Sequence, residues 1–287
     1  MKRRYAEQGE GGHRVRAGVP AVAVGGTVAF VLVLAAGAAR ARLFGIDPDR
    51  MDLGRMLEGP GPAHLLGTDA IGRDILVRLM AGAEASLLPG LLAVAIAVSL
   101  GVAAGLATGY LAGSWVERVV TYLLQLVDAI PRFVLFLLVI AAWKPSIFAI
   151  MAVAGVTATP GVAVHVRTRV RILASRGHVE AARALGLTRW RVLGRHVLWN
   201  HCRPIVFIQA SLLMGEAVLI ETALSYLGFG VQEPAASWGN MVAMGKDHFF
   251  AGALHLATAP ALAIVVAVTG FHLLGDGLAR VLDRRRA

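Results

Sequence analysis

Cysteine is nearly absent. Cys202 stands alone in 287 residues, which excludes an intramolecular disulfide framework and any multi-cysteine metal site, and its place in a basic segment predicts a reduced thiol. Charge is also scarce, with 16% of residues Asp, Glu, Lys or Arg against roughly 25% in soluble domains. The nine histidines include no His-Glu-x-x-His or comparable spacing, so they read as surface or packing residues. A phosphate-binding loop is missing as well. Gly239 to Asp247 looks faintly like one, but it has one residue too many between its glycines and Asp247 where Ser or Thr would hold magnesium. The chain therefore supplies no ATP site of its own.

Acids number 18 against 28 Lys and Arg, a net charge of +10 that would suggest an anionic partner in a soluble protein. Here 57% of residues are hydrophobic and the mean hydropathy is +0.67. Those values indicate an integral membrane protein, in which arginine collects on the cytoplasmic side.

The apolar runs predict an all-α protein with six membrane-spanning helices and both termini cytoplasmic. A basic tail, 1–18, precedes a first span, 19–41, which has the roughly 20 residues a bilayer requires and exceeds a signal-peptide core. Residues 42–86, with the cluster Gly59-Pro60-Gly61-Pro62, are too polar to cross and form an extracytoplasmic segment. Within it, Gly67 and Gly72 predict turns, and Thr68 or Asp69 is placed to cap the amphipathic stretch that follows. A five-helix core occupies 87–277, and a basic tail, 278–287, ends the chain inside. Lys and Arg concentrate on the pieces this topology puts in the cytoplasm.

Within the core, a second span from about Leu87 to Leu111 carries Gly101, Gly105 and Gly109, with Gly113 next in the same four-residue rhythm. That spacing lays a glycine stripe along one helix face and lets another helix approach backbone to backbone. A third span, about Val119 to Ala142, holds Gln125, Asp128, Pro131 and Arg132. Asp128 and Arg132 are spaced to pair on one face, and Pro131 kinks or ends a helix nearby. Two readings fit: charges within the span, or an amphipathic approach that leaves them at the interface. The fourth span, about Ser146 to Val166, is interrupted by Thr159-Pro160-Gly161, a candidate hinge. The fifth, Pro204 to Leu224, carries Gln209, Glu216 and Glu221, and the sixth runs from about Leu254 to Leu274.

Charged and polar side chains inside a membrane are expensive and tend to be functional, so Asp128, Gln209, Glu216 and Glu221 are candidate solute-pathway residues. Glu216 either faces a wet pathway and contacts a cationic part of the solute, or finds a partner such as Arg132. Glu221 lies about 140° around the helix from Glu216 and need not serve the same surface.

Between the fourth and fifth spans, residues 167–203 hold nine arginines against one acid, Glu180. Val179 to Leu185 has good helix formers and no breaker, Gly186 suits a left-handed helix end, and Thr188 can cap a second helix. Helix, turn and helix then form a cytoplasmic knob whose small Ala181 and Ala182 admit close approach by a partner, with Glu180 setting electrostatic register. A merely charge-biased loop and a nucleic-acid site are the rival readings. The second lacks stacking aromatics and a known motif.

Glu180-Ala181-Ala182, three residues and Gly186 resemble the EAA loop of ABC importer permeases, the helix that docks into a groove of the cytoplasmic ATPase. The family usually continues to Leu-Pro, where this chain has Leu198-Trp199 and reaches Pro204 later. Leu66-Gly67-Thr68-Asp69 with Gly72-Arg73-Asp74 is very similar to the signature of the C-type permease of the dipeptide/oligopeptide/nickel importers. Ser225 to Met241, with Leu227-Gly228, Glu233-Pro234 and Ser237-Trp238-Gly239-Asn240, resembles the same subunit.

The resemblance implies a type I ABC importer permease in the inner membrane of a bacterium or archaeon. It pairs with a B-type permease, two ATP-binding cassette ATPases that use ATP and magnesium, and an extracytoplasmic solute-binding protein, and carries peptides or related small solutes, nickel chelates among them. Glu180, Ala181, Ala182 and Gly186 would be its coupling residues. The alternatives are an ATP-independent secondary transporter that uses intramembrane carboxylates as proton sites, and a membrane-embedded enzyme, for which no nucleophile or metal constellation accompanies the acids.

Overall fold

The computed structural model describes residues 46–143, 146–174 and 202–284, with Gly25 and Leu198 in addition. The expected first span, Gly25 apart, and the knob from Glu180 to Gly186 fall outside the described residues. The regular structure of the described residues is helical: α1 (Ile75–Tyr110), α2 (Trp115–Asp128), α3 (Arg132–Trp143), α4 (Ile147–Ala174), α5 (Arg203–Tyr226), α6 (Trp238–His248) and α7 (His255–Arg284), with no named strand among them and with 46–74 mostly turns. Four helices, α1, α4, α5 and α7, are long and apolar enough to cross a membrane. A fifth span is made if α2 and α3, bent by 75°, count as one. Leu88, Leu91, Leu100, Val164, Leu219, Leu262 and Val265 stand exposed on those four helices, which suits acyl chains and would be an aggregation hazard in water.

The start of α1 departs from the sequence expectation. It begins at Ile75 rather than Leu87, so much of the amphipathic approach and the second span form one continuous helix. Its cap is neither Thr68 nor Asp69. The Asp74 carboxylate accepts from the Val77 N–H at 3.0 Å, while its other oxygen lies 2.8 Å from His64 Nδ1. Asp69 instead holds the preceding turn, accepting from the N–H groups of Ile71 and Arg73. Asp74→Ala is expected to lower stability by about 1 kcal/mol, read as a lower melting temperature in detergent. An unchanged value would assign the start of α1 to packing alone.

At the other end of α1 the glycine stripe does what its spacing predicts. A Cβ at Gly101, Gly105 or Gly109 would stand 2.5, 2.7 and 2.7 Å from the Cβ of Val162, Val166 and Val170. The two backbones therefore run in contact along α1 and α4, and Val162, Val166 and Val170 are buried in the seam. Gly113 is not part of it. It lies in the turn after α1 at φ +84, where only the left-handed region closes the chain toward α2.

Thr159-Pro160-Gly161 does not interrupt the fourth span, since α4 runs unbroken from Ile147 to Ala174 with Pro160 inside it. Within a bilayer, opening the backbone would leave several polar groups unsatisfied, whereas a single proline forfeits one hydrogen bond. The packing on α1 runs through this turn, from Gly155 against Ala93 to the Thr159 carbonyl, 3.1 Å from the Cβ position of Gly101. Because α4 extends past Val166, the basic segment expected to begin at Arg167 begins as helix. Pro131 behaves oppositely and separates α2 from α3.

The remaining helices close around Trp238 at the head of α6. Its indole N–H donates to the Leu79 carbonyl at 3.0 Å and its backbone N–H to Ser86 Oγ at 3.2 Å, tying α6 to α1. Ser237 and Asn240 cap α6 reciprocally. Ile75, Leu79, Met214, Val218, Met241, Leu256 and Ile264 are among the residues packed in this cluster. The faint phosphate-loop string, Gly239 to Asp247, lies within α6 and is no loop.

Candidate functional site

Charged side chains gather at three depths. At the end of the bundle where α1 starts, Gly67 and Gly72 turn the chain at φ +79 and +78. A Cβ at Gly72 would overlap the Asp52 carbonyl at 1.8 Å, so only glycine permits the fold-back. That turn delivers Arg73 beside Arg78, both 1% exposed. Arg73 Nε donates to Asp69 at 2.6 Å and Nη1 to Glu233 at 2.8 Å. Arg78 donates to Asp49 at 2.5 Å, to the other oxygen of Glu233 at 3.3 Å and to the Pro234 carbonyl at 3.3 Å. Burial alone would lower the Arg73 guanidinium, but the Glu233 and Asp69 carboxylates outweigh it and hold its pKa above the ordinary value. Glu233 thus staples the Gly72-Arg73-Asp74 segment to the loop after α5. Two strings that stand far apart in the sequence form one structure.

At mid-depth, Arg132 Nη1 donates to Glu216 Oε1 at 2.6 Å. Arg132 opens α3 just past the 75° break, and Glu216 sits in the middle of α5. Of the two fates weighed for Glu216, pairing with Arg132 is the contact that forms. The pair expected within the third span, Asp128 with Arg132, is not seen. The break at Ala129 to Pro131 removes the common helix face that i,i+4 pairing needs, leaving Asp128 exposed at the end of α2. The Arg132–Glu216 pair faces a small cavity walled by five alanines of α1, α4 and α5 and by Val94, Leu213 and Ile220. Gln209 is half-buried, two turns before Glu216 on the same face of α5. Glu221 is set apart from this group. It is fully buried and accepts from Ser225 Oγ at 2.6 Å, in the packed junction with the loop after α5.

The third cluster lies at the opposite end, where α1 and α4 finish and α2 begins. Glu117 accepts from Arg167 and Arg171 of α4 and from the Gly113 N–H at 2.6 Å. Arg167 also donates to Thr121 at 3.1 Å. Sequence reasoning passed over Glu117, although a signal was present. Arg167 and Arg171 are one turn apart on the same face just past an apolar run, and Glu117 is the acid in the short connection expected at that level. The predicted coupling residues Glu180, Ala181, Ala182 and Gly186 lie outside the described residues.

Comparison with known proteins accounts for most of the chain. Residues 97–287 match the family described as binding-protein-dependent transport system inner membrane component. The chain is similar to a probable D,D-dipeptide transport system permease protein of Escherichia coli (strain K12), with 34% identity over 83% of this chain and 78% of the relative. A glutathione transport system permease protein of Pectobacterium atrosepticum is 34% identical over 81% of this chain and 76% of its own length. A dipeptide transport system permease protein of Alkalihalophilus pseudofirmus is 34% identical over 79% and 74%.

Proposed function

We propose, from the premise that this chain belongs to the family of binding-protein-dependent transport inner membrane components, that it is the C-type permease subunit of an ATP-driven importer of peptides. The single observation that carries this reading is the family match over 97–287, which takes in the last part of α1, all the helices after it and the basic segment 167–203 together. Relatives named for D,D-dipeptide, glutathione and dipeptide transport favour a peptide solute over a nickel chelate. The chain is a multi-pass inner-membrane protein and a transport subunit rather than an enzyme. Its ATP-independent alternative, a secondary transporter, has no support from these relatives.

In the proposed mechanism, two partner ATPases bind ATP with magnesium and close on the knob of Glu180, Ala181, Ala182 and Gly186. The push enters α4 through the basic segment. The tie of Arg167 and Arg171 to Glu117 would carry it into α2, and the rigid glycine seam would carry it into α1. Helices moving as bodies convert it to alternating access. At the far end, the Arg73, Arg78 and Glu233 network fixes the surface that a solute-binding protein would meet. Asp128, Gln209 and Glu216 line the pathway in this scheme, beside a B-type permease. Glu221, the fourth pathway candidate, is fully buried in this chain, and in this scheme it lies behind the residues that face the solute.

Copurification tests the assembly. Tagged chain extracted in mild detergent is expected to bring down a second permease and two ATPases, and recovery of this chain alone, with transport intact, would overturn the reading. Gly186→Val tests the coupling. If Gly186 takes the left-handed turn its sequence context predicts, a β-branched residue there costs about 1 kcal/mol or more, which would reshape the knob while the spans persist. The variant complex is expected to assemble, hydrolyse ATP and fail to transport. Normal uptake by it would remove Gly186 from the mechanism.

A further inference from the structure

The Arg132–Glu216 pair is held in a place where an ordinary structural ion pair is poorly served. Counted along α5, Glu216 stands about 20 Å from Arg203 and about 15 Å from Tyr226 at 1.5 Å per residue, close to the middle of a bilayer. Yet the two side chains are 35% and 45% exposed. Charges at that depth are not left against acyl chains, so this face of the chain turns toward water or protein. The contact itself is thin. One guanidinium nitrogen meets one carboxylate oxygen, although an arginine fork and a carboxylate are built to pair at two points. Neither group has another polar contact among those the structure gives for the described residues.

The surroundings add a small cavity and a break in the helical backbone. Alanines from α1, α4 and α5, together with Val94, Leu213 and Ile220, wall the cavity beside the pair. Arg132 follows directly on the break between α2 and α3, so its backbone is not locked into a continuous helix. α3 also begins here, and its first-turn N–H groups favour an anion at this point.

We infer that Arg132 and Glu216 form a recognition site for a zwitterionic solute, which opens the pair and replaces it. The solute's ammonium group goes to Glu216 and its carboxylate to Arg132 and the start of α3. In the unloaded pathway each side chain neutralises the other, and in the loaded one the solute's two ends neutralise both. The exchange conserves charge throughout, so neither group is ever left bare at mid-membrane. The site selects for free peptide ends at a spacing, which neither charge alone could do. This inference rests on the peptide-importer reading above.

The test uses the complete transporter in proteoliposomes with its binding protein, and three probes: alanyl-alanine, its N-acetyl form and its C-terminal amide. The same binding protein serves every arm, so its own preference cancels in variant-to-wild-type ratios. Glu216→Gln is expected to depress uptake of the free dipeptide and the amide roughly tenfold or more while sparing the N-acetyl form. Arg132→Gln is expected to depress the free dipeptide and the N-acetyl form and spare the amide. Equal loss for all three probes, or failure of both variants to assemble, would mark the pair as structural and overturn the inference.

The charge swap Arg132→Glu with Glu216→Arg decides without the capped probes. It restores a pair but reverses its polarity. A structural pair predicts recovered uptake of alanyl-alanine, and the recognition site predicts that uptake stays low. Absence of alanyl-alanine uptake by the wild-type complex would count against the peptide reading itself, and so against both.

Discussion

Gly105→Leu is expected to prevent stable folding of the chain in the membrane. The added Cβ would stand 2.7 Å from the Val166 Cβ and 2.8 Å from the Ala163 carbonyl. The second of these is backbone within a packed helix and cannot rotate away. Relief requires α1 and α4 to separate along the seam that also holds Gly101 against Val162 and Gly109 against Val170, so the cost should exceed about 3 kcal/mol, the upper end for overpacking. The check is the yield of monodisperse protein after detergent extraction, with Gly113→Leu as the comparison. Gly113 is in open space, so that substitution brings a backbone penalty at positive φ and no clash. Equal yields for the two variants would mean that α1 and α4 do not meet as described.

Arg73→Met is expected to have the next largest effect. The guanidinium is 1% exposed and bridges Asp69 to Glu233, so its loss leaves two carboxylates sharing Arg78. Breaking a buried ion network from one side costs about 3–5 kcal/mol, and the lower end applies because Glu233 remains 44% exposed. The expected result is a large drop in detergent melting temperature and loosening of the loop after α5. Asp49→Asn, which removes the charge of a 30% exposed partner of Arg78 and leaves Glu233 in place, should cost much less. Similar melting temperatures for Arg73→Met and the parent would contradict the burial of this network.

The two prolines show what local sequence rules can and cannot decide. Pro131 and Pro160 both sit in apolar stretches, and the same rule predicts a break at each. Near Pro131, Asp128 and Arg132 need polar surroundings that an uninterrupted lipid-facing helix does not offer, and the chain bends. Around Pro160, Ala158, Val162 and Ala163 are buried against the glycine face of α1, and that packing keeps α4 continuous. The deciding contact comes from another helix, which no window of neighbouring residues contains.

Glycines divide in the same way. Gly101, Gly105 and Gly109 announced a helix contact because a four-residue rhythm in an apolar run maps to one face. Gly113 shares the rhythm but lies past the helix end, which only the Gly113–Ser114 turn and the Ser114 cap reveal. For Glu216 a partner was legible because few charges stand in the spans to choose among. Glu233 was not legible as the staple of Arg73 and Arg78. Its partners lie more than 150 positions away, and nothing in Gln232-Glu233-Pro234 distinguishes an acid that bridges two buried arginines from a solvated loop acid. Glu180 and Gly186 remain readable in sequence alone, through their resemblance to a docking motif.

The most direct test of the central claim is solute uptake by proteoliposomes holding this chain with its partner permease and ATPases, driven from outside by the binding protein loaded with dipeptide. Uptake should require enclosed ATP and magnesium, cease when the ATPases are omitted, and be indifferent to a proton gradient. Dipeptide uptake by vesicles that hold this chain without any ATPase, rising with the proton gradient, would contradict the account.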